Sequence, residues 1–260
     1  MRGLRCEVVG LGRLGRSPLT PPSPFEGRGR RGLTLESWHR VMELSSTNII
    51  AGLCIVFLAG VTHGLTGFGY ALASVPLLII YLSPKVAVPV VLIHSVIINA
   101  IVLAEVWRFV ELRRIWLLMA AGIVGMPLGT WMLIVLNANV LKALMGLVVT
   151  LSGAAFLLGF RREVRNERVA SLPLGLSSGV LGGSTAMSGP PVVLFFANQG
   201  MDKRVFRANL VAYFLALNLA TLPLHGVGGL LQRDMLVYTG LLVPALLAGA
   251  VGGMALARRV

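Results

Sequence analysis

Long apolar runs, separated by short polar or charged turns, fill the chain from about residue 44 onward. Five of these runs have the length of a membrane-spanning helix, which needs about 20 residues. They occupy residues 86–106, 115–136, 140–160, 205–225 and 235–257. Each run is predicted to cross a membrane once as an α-helix.

Two further apolar segments, 48–82 and 169–197, are interrupted near their centres by glycine and proline. The interrupted stretches read GLTGFGYALASVP over 64–76 and GVLGGSTAMSGPP over 179–191. In a helix interior glycine costs about 1 kcal/mol relative to alanine, and proline costs about 3 kcal/mol. Each segment is therefore predicted to form two short helices joined by exposed backbone. A membrane tolerates such backbone only where it is buried in protein or lines a cavity.

The two interrupted stretches correspond in position. An offset of 115 residues places the glycines and proline of the first on those of the second, in the pairs Gly64 and Gly179, Gly67 and Gly182, and Pro76 and Pro191. In the third span, Gly125 and Gly129 have a spacing that favours close helix packing, and the same spacing recurs at Gly249 and Gly253. Paired interrupted segments of this kind are typical of the binding sites of transporters.

The pattern predicts an all-α, polytopic integral membrane protein made of two repeated multi-helix halves. Each half begins with a segment broken by glycine and proline. The first half covers residues 44–160 with about four spans, a basic loop covers 161–168, and the second half covers 169–257 with about three spans. The second half lacks the counterpart of the last helix of the first.

Composition supports a membrane protein. The chain is 56% hydrophobic and 13% charged, whereas soluble domains carry about 25% charged residues, which excludes one large soluble domain. The formal charge of +13 lies in tails and loops, as the positive-inside rule expects, and forms no basic face for nucleic acid. Cys6 and Cys54 indicate neither a disulfide nor a metal site, and no cofactor is expected.

Residues 1–43 are rich in arginine, glycine and proline and have no periodicity. They are predicted to form a disordered basic tail, although Met42 offers a second start site just before the first span. If segment 48–82 crosses the membrane once, the tail and the basic loops 108–114 and 161–168 share one side, which the positive-inside rule makes cytoplasmic. The sequence leaves open whether the interrupted segments cross or re-enter.

The candidate substrate-binding residues lie in the two interrupted stretches. Unwound backbone N–H groups, the helix N-terminus beyond them and nearby hydroxyls would face an anion. For the glycines the alternative is close helix packing, and for the hydroxyls it is a hydrogen bond to their own helix. Because no Lys or Arg lies deep in a predicted span, dipoles would bind the anion. The candidates are Gly64, Thr66, Gly67, Phe68, Gly69, Pro76, Gly179, Gly182, Gly183, Ser184, Thr185, Ser188 and Pro191.

Three polar residues within spans, His94, Asn99 and Asn218, are candidates for coupling or for lining the path. A histidine, with an unperturbed pKa of about 6.5, could carry a coupling proton. For both His94 and His63, the favoured interpretation is a neutral ring hydrogen-bonded between helices. The spans hold no clustered catalytic or metal-binding side chains, so the pattern does not favour an enzyme.

The two interrupted stretches and the four-helix half resemble those of the sulfite exporter TauE/SafE family, over about residues 44–257. This resemblance implies a polytopic protein of the bacterial inner membrane that moves sulfite, sulfonates or related organosulfur anions. The family pattern has one further span after the last one found here. A truncated gene model, a frameshift or a viable shorter variant would each account for that departure.

The predicted function is therefore transport of a small, sulfur-containing anion across the membrane by alternating access. An accessory membrane subunit without transport of its own is the alternative, and an intramembrane enzyme is the less favoured one. The expected partners are the anion and the lipid bilayer, without nucleic acid, and a homo-oligomer is left open.

Overall fold

The computed structural model describes residues 46–158 and 167–259. The tail 1–43, the alternative start at Met42 and most of the basic loop 161–168 lie outside this part of the chain. Within it are nine α-helices, and a short 3-10 turn, Trp107–Phe109, follows the third of them. The helices are α1 (Ser46–Thr66), α2 (Tyr70–Leu78), α3 (Pro84–Val106), α4 (Leu112–Val135), α5 (Ala138–Leu157), α6 (Glu167–Thr185), α7 (Gly189–Ala197), α8 (Lys203–Val227) and α9 (Arg233–Ala257).

Six of the described helices, α1, α3, α4, α5, α8 and α9, are long and apolar enough to cross a membrane. This confirms the prediction of an all-α, polytopic membrane protein. The helix α6 is not among them, because four serines and four glycines dilute its apolar residues.

The helical interruptions are short. The first break, residues 67–69, separates α1 from α2, and the second break, residues 186–188, separates α6 from α7. The helices that follow, α2 and α7, have nine residues each and are therefore about 14 Å long, too short to cross a bilayer.

The chain turns back after the first break. Tyr81, just beyond α2, lies with its hydroxyl 3.4 Å from that of Tyr238, and a Cβ added at Gly52 would lie within 3.2 Å of both hydroxyls. Gly52 is near the start of α1, so α2 returns along α1 and α3 begins at the face where α1 begins.

The chain also turns back after the second break. Ser178 Oγ donates a hydrogen bond to the carbonyl of Ser188 at 2.6 Å, although the two residues are ten apart. Each interrupted segment is therefore a hairpin, which decides between the two possibilities that the sequence left open. Segment 48–82 therefore does not cross the membrane once, which was the condition for placing the tail on the same side as the basic loops. Instead, α1 begins at the face opposite the loop 107–111.

Two pairs of parallel helices pack along glycine seams. The helix α1 packs against α9, and α6 packs against α4. A Cβ at Gly253 would overlap the carbonyl of Val61, and a Cβ at Gly129 would overlap that of Val180. The structure thus confirms the close helix approach predicted from the glycine spacing.

The helices α3 and α8 form the centre of the bundle. They pack against each other, and α3 also contacts α9 while α8 also contacts α4. Two-thirds of the apolar window of α3 is buried, the largest share among the six candidate spans. The two hairpins thus face a common pair of central helices, and this arrangement positions the site.

Candidate substrate site

The two breaks meet at a small cavity in the centre of the bundle. Its volume is about 30 Å³, which accommodates about one water molecule. Both hairpins and both central helices contribute to its wall. The lining residues are His63, Phe68, Gly69, Ala71 and Leu72 from the first hairpin, Ser95 and Asn99 from α3, Ala186, Met187, Ser188 and Gly189 from the second hairpin, and Phe214 and Asn218 from α8.

Two buried polar side chains mark this cavity. His63 and Asn99 are only 2% and 1% exposed. Within the described residues, no hydrogen bond of normal geometry reaches the ring nitrogens of His63 or the Oδ1 of Asn99, although the two side chains lie close enough to interact with each other. The Nδ2 of Asn99 donates to the carbonyl of Ser95 at 2.6 Å. An unsatisfied buried group costs about 1–3 kcal/mol, so atoms of this kind usually face a water or a ligand.

Two helix N-termini converge on the cavity. Gly69 is the N-cap of α2 and Ser188 is the N-cap of α7, and neither helix start has a side-chain cap hydrogen bond. The first N–H groups of a helix lack intrahelical partners, and its N-terminus carries a partial positive charge. The cavity is therefore favourable for an anion.

The backbone at the two breaks matches at an offset of 119 residues. Thr66 Oγ1 and Thr185 Oγ1 each donate to the carbonyl four residues earlier. Each also accepts from the backbone N–H two residues later. The next residues, Gly67 and Ala186, have left-handed φ values of 81° and 59°.

The offset of 115 that the sequence suggested is therefore four residues, about one helical turn, too short. Glycines recur every three to four residues as each break is approached, at 60, 64 and 67 in the first hairpin and at 175, 179 and 182 in the second. A match of glycines to glycines therefore tolerates a slip of one turn. The residue equivalent to Gly67 is Ala186 and not Gly182, because the break is set by the threonine and the left-handed residue after it.

Several candidate glycines lie inside helices instead of in unwound backbone. A Cβ at Gly64 would lie 2.5 Å from the carbonyl oxygen of Ala250, and one at Gly183 would lie 2.6 Å from that of Met126. Gly179 faces Gly122 in the same seam. These three glycines allow close helix packing, which was the alternative interpretation. Gly182 faces the side chain of Ser188.

The candidate hydroxyls divide in the same way. Those of Thr66, Ser184 and Thr185 donate to carbonyls of their own helices, whereas Ser188 lines the cavity. Phe68 and Gly69 also line it. The two prolines are not among the lining residues. Pro76 lies inside α2, and Pro191 lies in the first turn of α7.

Of the polar span residues, Asn99 and Asn218 lie at the cavity and His94 does not. His94 Nε2 donates to the carbonyl of Thr239 at 3.0 Å, and its Nδ1 accepts from the Tyr70 hydroxyl at 2.8 Å. This fully bonded ring joins α2, α3 and α9. His63, for which the sequence favoured a packing role, is the histidine that faces the cavity.

A second cavity opens at the face where α1, α3 and α9 end and α8 begins. This vestibule has a volume of about 810 Å³. Charged residues form much of its wall, and the remainder is mainly apolar. It is lined by Leu65, Thr66, Glu105, Val106, Phe109, Met201, Lys203, Arg204, Phe206, Arg207, Ala257 and Arg258.

Arg207 is a residue that the sequence analysis missed. It lies in the second turn of α8, and its Nη2 donates to the carbonyl of Gly64 at 2.7 Å. Its Cγ would be 2.6 Å from a Cβ at Gly67, so its stem packs directly on the first break. The sequence did contain a signal, because Arg207 lies two residues inside the predicted span 205–225. An arginine so near the end of a span was interpreted as a flanking charge.

The family model described as Sulfite exporter TauE/SafE matches residues 52–260, most of the chain. The chain belongs to this family. No curated protein and no solved structure matched the chain. The TauE/SafE match covers both hairpins and all six candidate spans except the first residues of α1, so the central cavity and the vestibule both lie within it.

Membership in the TauE/SafE family places this protein among membrane transporters for small molecules. It also agrees with the multi-pass architecture that the helices show.

Proposed function

We propose that the protein transports a small oxyanion, sulfite or an organosulfonate, and that the central cavity is its substrate site. The observation that carries the proposal is the meeting, in one cavity, of two helix N-termini without side-chain caps and the buried polar side chains of His63 and Asn99. The TauE/SafE family supplies the chemical class of the substrate.

The chemistry of the cavity suits such an anion. Asn99 Nδ2 has one N–H beyond the one that it donates to Ser95, and the Ser188 hydroxyl and a His63 ring N–H are further donors. The N-termini of α2 and α7 add positive potential. Dipoles without a fixed cation bind an anion weakly enough to release it. The site therefore fits reversible transport better than storage.

Transport requires the two breaks to separate. Sulfite has four heavy atoms, whereas a cavity of about 30 Å³ holds about one water molecule. The first hairpin is packed on α9 and the second on α4, so each pair moves as a unit in the proposed cycle. Movement of one pair relative to the other would open the cavity to one face at a time.

The charge distribution supports one orientation for the proposed location in a bacterial inner membrane. Among the described residues, the face where α1 and α3 end carries more cations than the face where they begin, and the positive-inside rule makes the richer face cytoplasmic. The start of α1 is then periplasmic, in contrast to the side expected for the tail. The two sets are Arg108, Arg113, Arg114, Lys203, Arg204, Arg207, Arg258 and Arg259 against Lys85, Lys142 and Arg233.

Sulfite flux into proteoliposomes tests the proposal. Asn99→Leu removes the amide from the cavity, and flux should fall at least about tenfold, because a hydrogen bond to a charged group contributes roughly 1.5–3 kcal/mol. Asn139→Leu is the matched control, since Asn139 is exposed near the start of α5, and it should transport normally. Unchanged flux in correctly folded Asn99→Leu would place the substrate elsewhere.

A further inference from the structure

The vestibule has an excess of positive charge at its wall. Four cationic side chains, Lys203, Arg204, Arg207 and Arg258, line it together with a single carboxylate, Glu105. Glu105 Oε1 already accepts a hydrogen bond from Arg258 Nε at 2.9 Å. Glu105 is also near enough to Arg207 to interact with its charge. The lining residues, with four cations and one carboxylate, still carry an excess of three positive charges.

The vestibule cations lie at different depths. The guanidinium of Arg204 is exposed and lies 5.6 Å from the centre of the Phe109 ring. The Arg207 side chain is half-buried at the inner end, where it contacts the last turn of α1 and the first break. Partly buried charges are screened less by salt than exposed ones, so Arg207 is the strongest anion attractor of the set.

Arg207 connects the vestibule to the central cavity. It lines the vestibule and contacts Gly64 and Gly67. These two glycines are the chain neighbours of His63 and Phe68, which line the central cavity. The Arg207 side chain therefore lies next to both spaces.

A purely structural role uses only part of the Arg207 side chain. Its Nη2 caps a carbonyl at the end of α1, where a cation is favourable. Its Nε is buried and has no partner among the described residues. Capping alone leaves this donor unsatisfied, whereas an oxyanion can accept from the guanidinium fork in a bidentate manner.

We propose that the vestibule is a second anion site, at which Arg207, assisted by Arg204 and Lys203, binds a free small oxyanion before it enters the central cavity. The ligand class is that of the proposed transport function, on which this inference rests: a sulfite or sulfonate group with two or three equivalent oxygens. The site differs from the central one because it is built on fixed cations.

Equilibrium binding of sulfite to the purified full chain tests the vestibular site. Titration calorimetry is done at constant ionic strength in nanodiscs of neutral lipid. All variants also carry Asn99→Leu, so that sulfite binding at the central cavity contributes as little as possible to the measured heat. In that background Arg207→Gln should weaken sulfite binding at least about tenfold, as expected for loss of a charge-assisted, bidentate contact. Arg207→Lys keeps the charge without the fork and should give an intermediate loss.

Matched variants separate binding from folding. Arg204→Gln removes a vestibule cation that contacts Phe109, and it should weaken binding about threefold. Lys142→Gln makes the same charge change at the opposite face, where Lys142 is exposed at the start of α5, and it should leave binding unchanged. The midpoint of thermal unfolding without ligand identifies any variant that has lost its fold.

Two results would overturn the vestibular site. One is sulfite binding that weakens no more in Arg207→Gln and Arg204→Gln than in Lys142→Gln. The other is that anionic lipid added to the nanodiscs, and not sulfite, protects the wild-type chain and loses this effect in Arg207→Gln, which would assign the cations to a lipid headgroup. Flux through Asn99→Leu tests the central site separately, so failure of one site leaves the other standing.

Discussion

The first and second breaks share a backbone design but differ in chemistry. Both use a threonine cap followed by a left-handed residue. The first break has glycine at that position and leads into α2, whose first residues Tyr70, Ala71 and Leu72 all have N–H donors. The second break has Ala186 there and leads into α7, where Pro190 and Pro191 have none.

This difference assigns the two breaks unequal parts. The first break offers more backbone donors to an anion and is in contact with Arg207, so it is suited to bind. The second break is stiffened by two prolines, whose fixed φ limits backbone motion, so it is suited to form a wall. Similar backbone geometry in the two halves of a transporter does not require equal roles.

The largest expected effect concerns the seams, where the two halves should behave alike. Gly64→Val and Gly183→Val each place a side chain on a partner backbone carbonyl, at 2.5 and 2.6 Å for the Cβ alone. Each should destabilise the fold by about 3 kcal/mol. Thermal unfolding of both variants measures this loss, with Gly146→Val as the control because nothing lies within 4 Å of its Cβ. A large difference between the two seam variants would contradict equal packing of the hairpins.

The next effect separates the breaks. Gly67→Ala places a Cβ at φ 81° and 2.6 Å from Arg207 Cγ, so it should cost about 1–2 kcal/mol in backbone strain and lower sulfite flux about tenfold. Ala186→Gly removes the Cβ from a residue with a left-handed φ of 59°. Its sulfite flux should stay within about twofold of wild type, and its unfolding temperature should be equal to or higher than that of wild type. A comparable loss of sulfite flux in both variants would contradict the proposal that the two breaks have different roles.

The smallest effect tests the missing donors of α7. Replacing Pro190 and Pro191 together by alanine restores two N–H groups in the first turn of α7, next to Ser188 and Gly189, which line the cavity. Since a charge at a helix N-terminus contributes about 0.3–1 kcal/mol, KM for sulfite should fall about two- to fivefold. Pro76→Ala is the control, because Pro76 lies inside α2, away from its N-terminus. An unchanged KM in the double variant would show that α7 does not contact the anion.

Apolar run length and glycine spacing were sufficient to predict the spans, the two interruptions and the close packing of Gly249 and Gly253 against another helix. These features follow from local chemistry, since bilayer thickness fixes helix length and small residues permit close approach. The pair Asn99 and Asn218 was also noticed, because a polar residue in an apolar helix is conspicuous.

The return of α2 along α1 was not predictable, because a run of apolar residues does not encode chain direction. The exact position of the second break was missed for a related reason. Glycines occur both in the seams and at the breaks. The sequence alone does not show whether Gly182 or Ala186 is the left-handed residue of the second break, which only the backbone φ reveals. Arg207 was missed because its contact is with Gly64, 143 residues earlier in the chain.

The pairing of α1 with α9 also imposes a delay during membrane insertion and folding, because the two helices are synthesised far apart in time. The glycine face of α1 is complete once Thr66 has been made, but its partner begins only at Arg233. At roughly 5–20 residues per second, synthesis of the intervening chain takes on the order of 10–30 s. During that interval α1 must reside in lipid, or against the insertion machinery, with its seam unpaired. A ribosome stalled within α8 would therefore leave the first hairpin, and not only the last helix, without its packing partner.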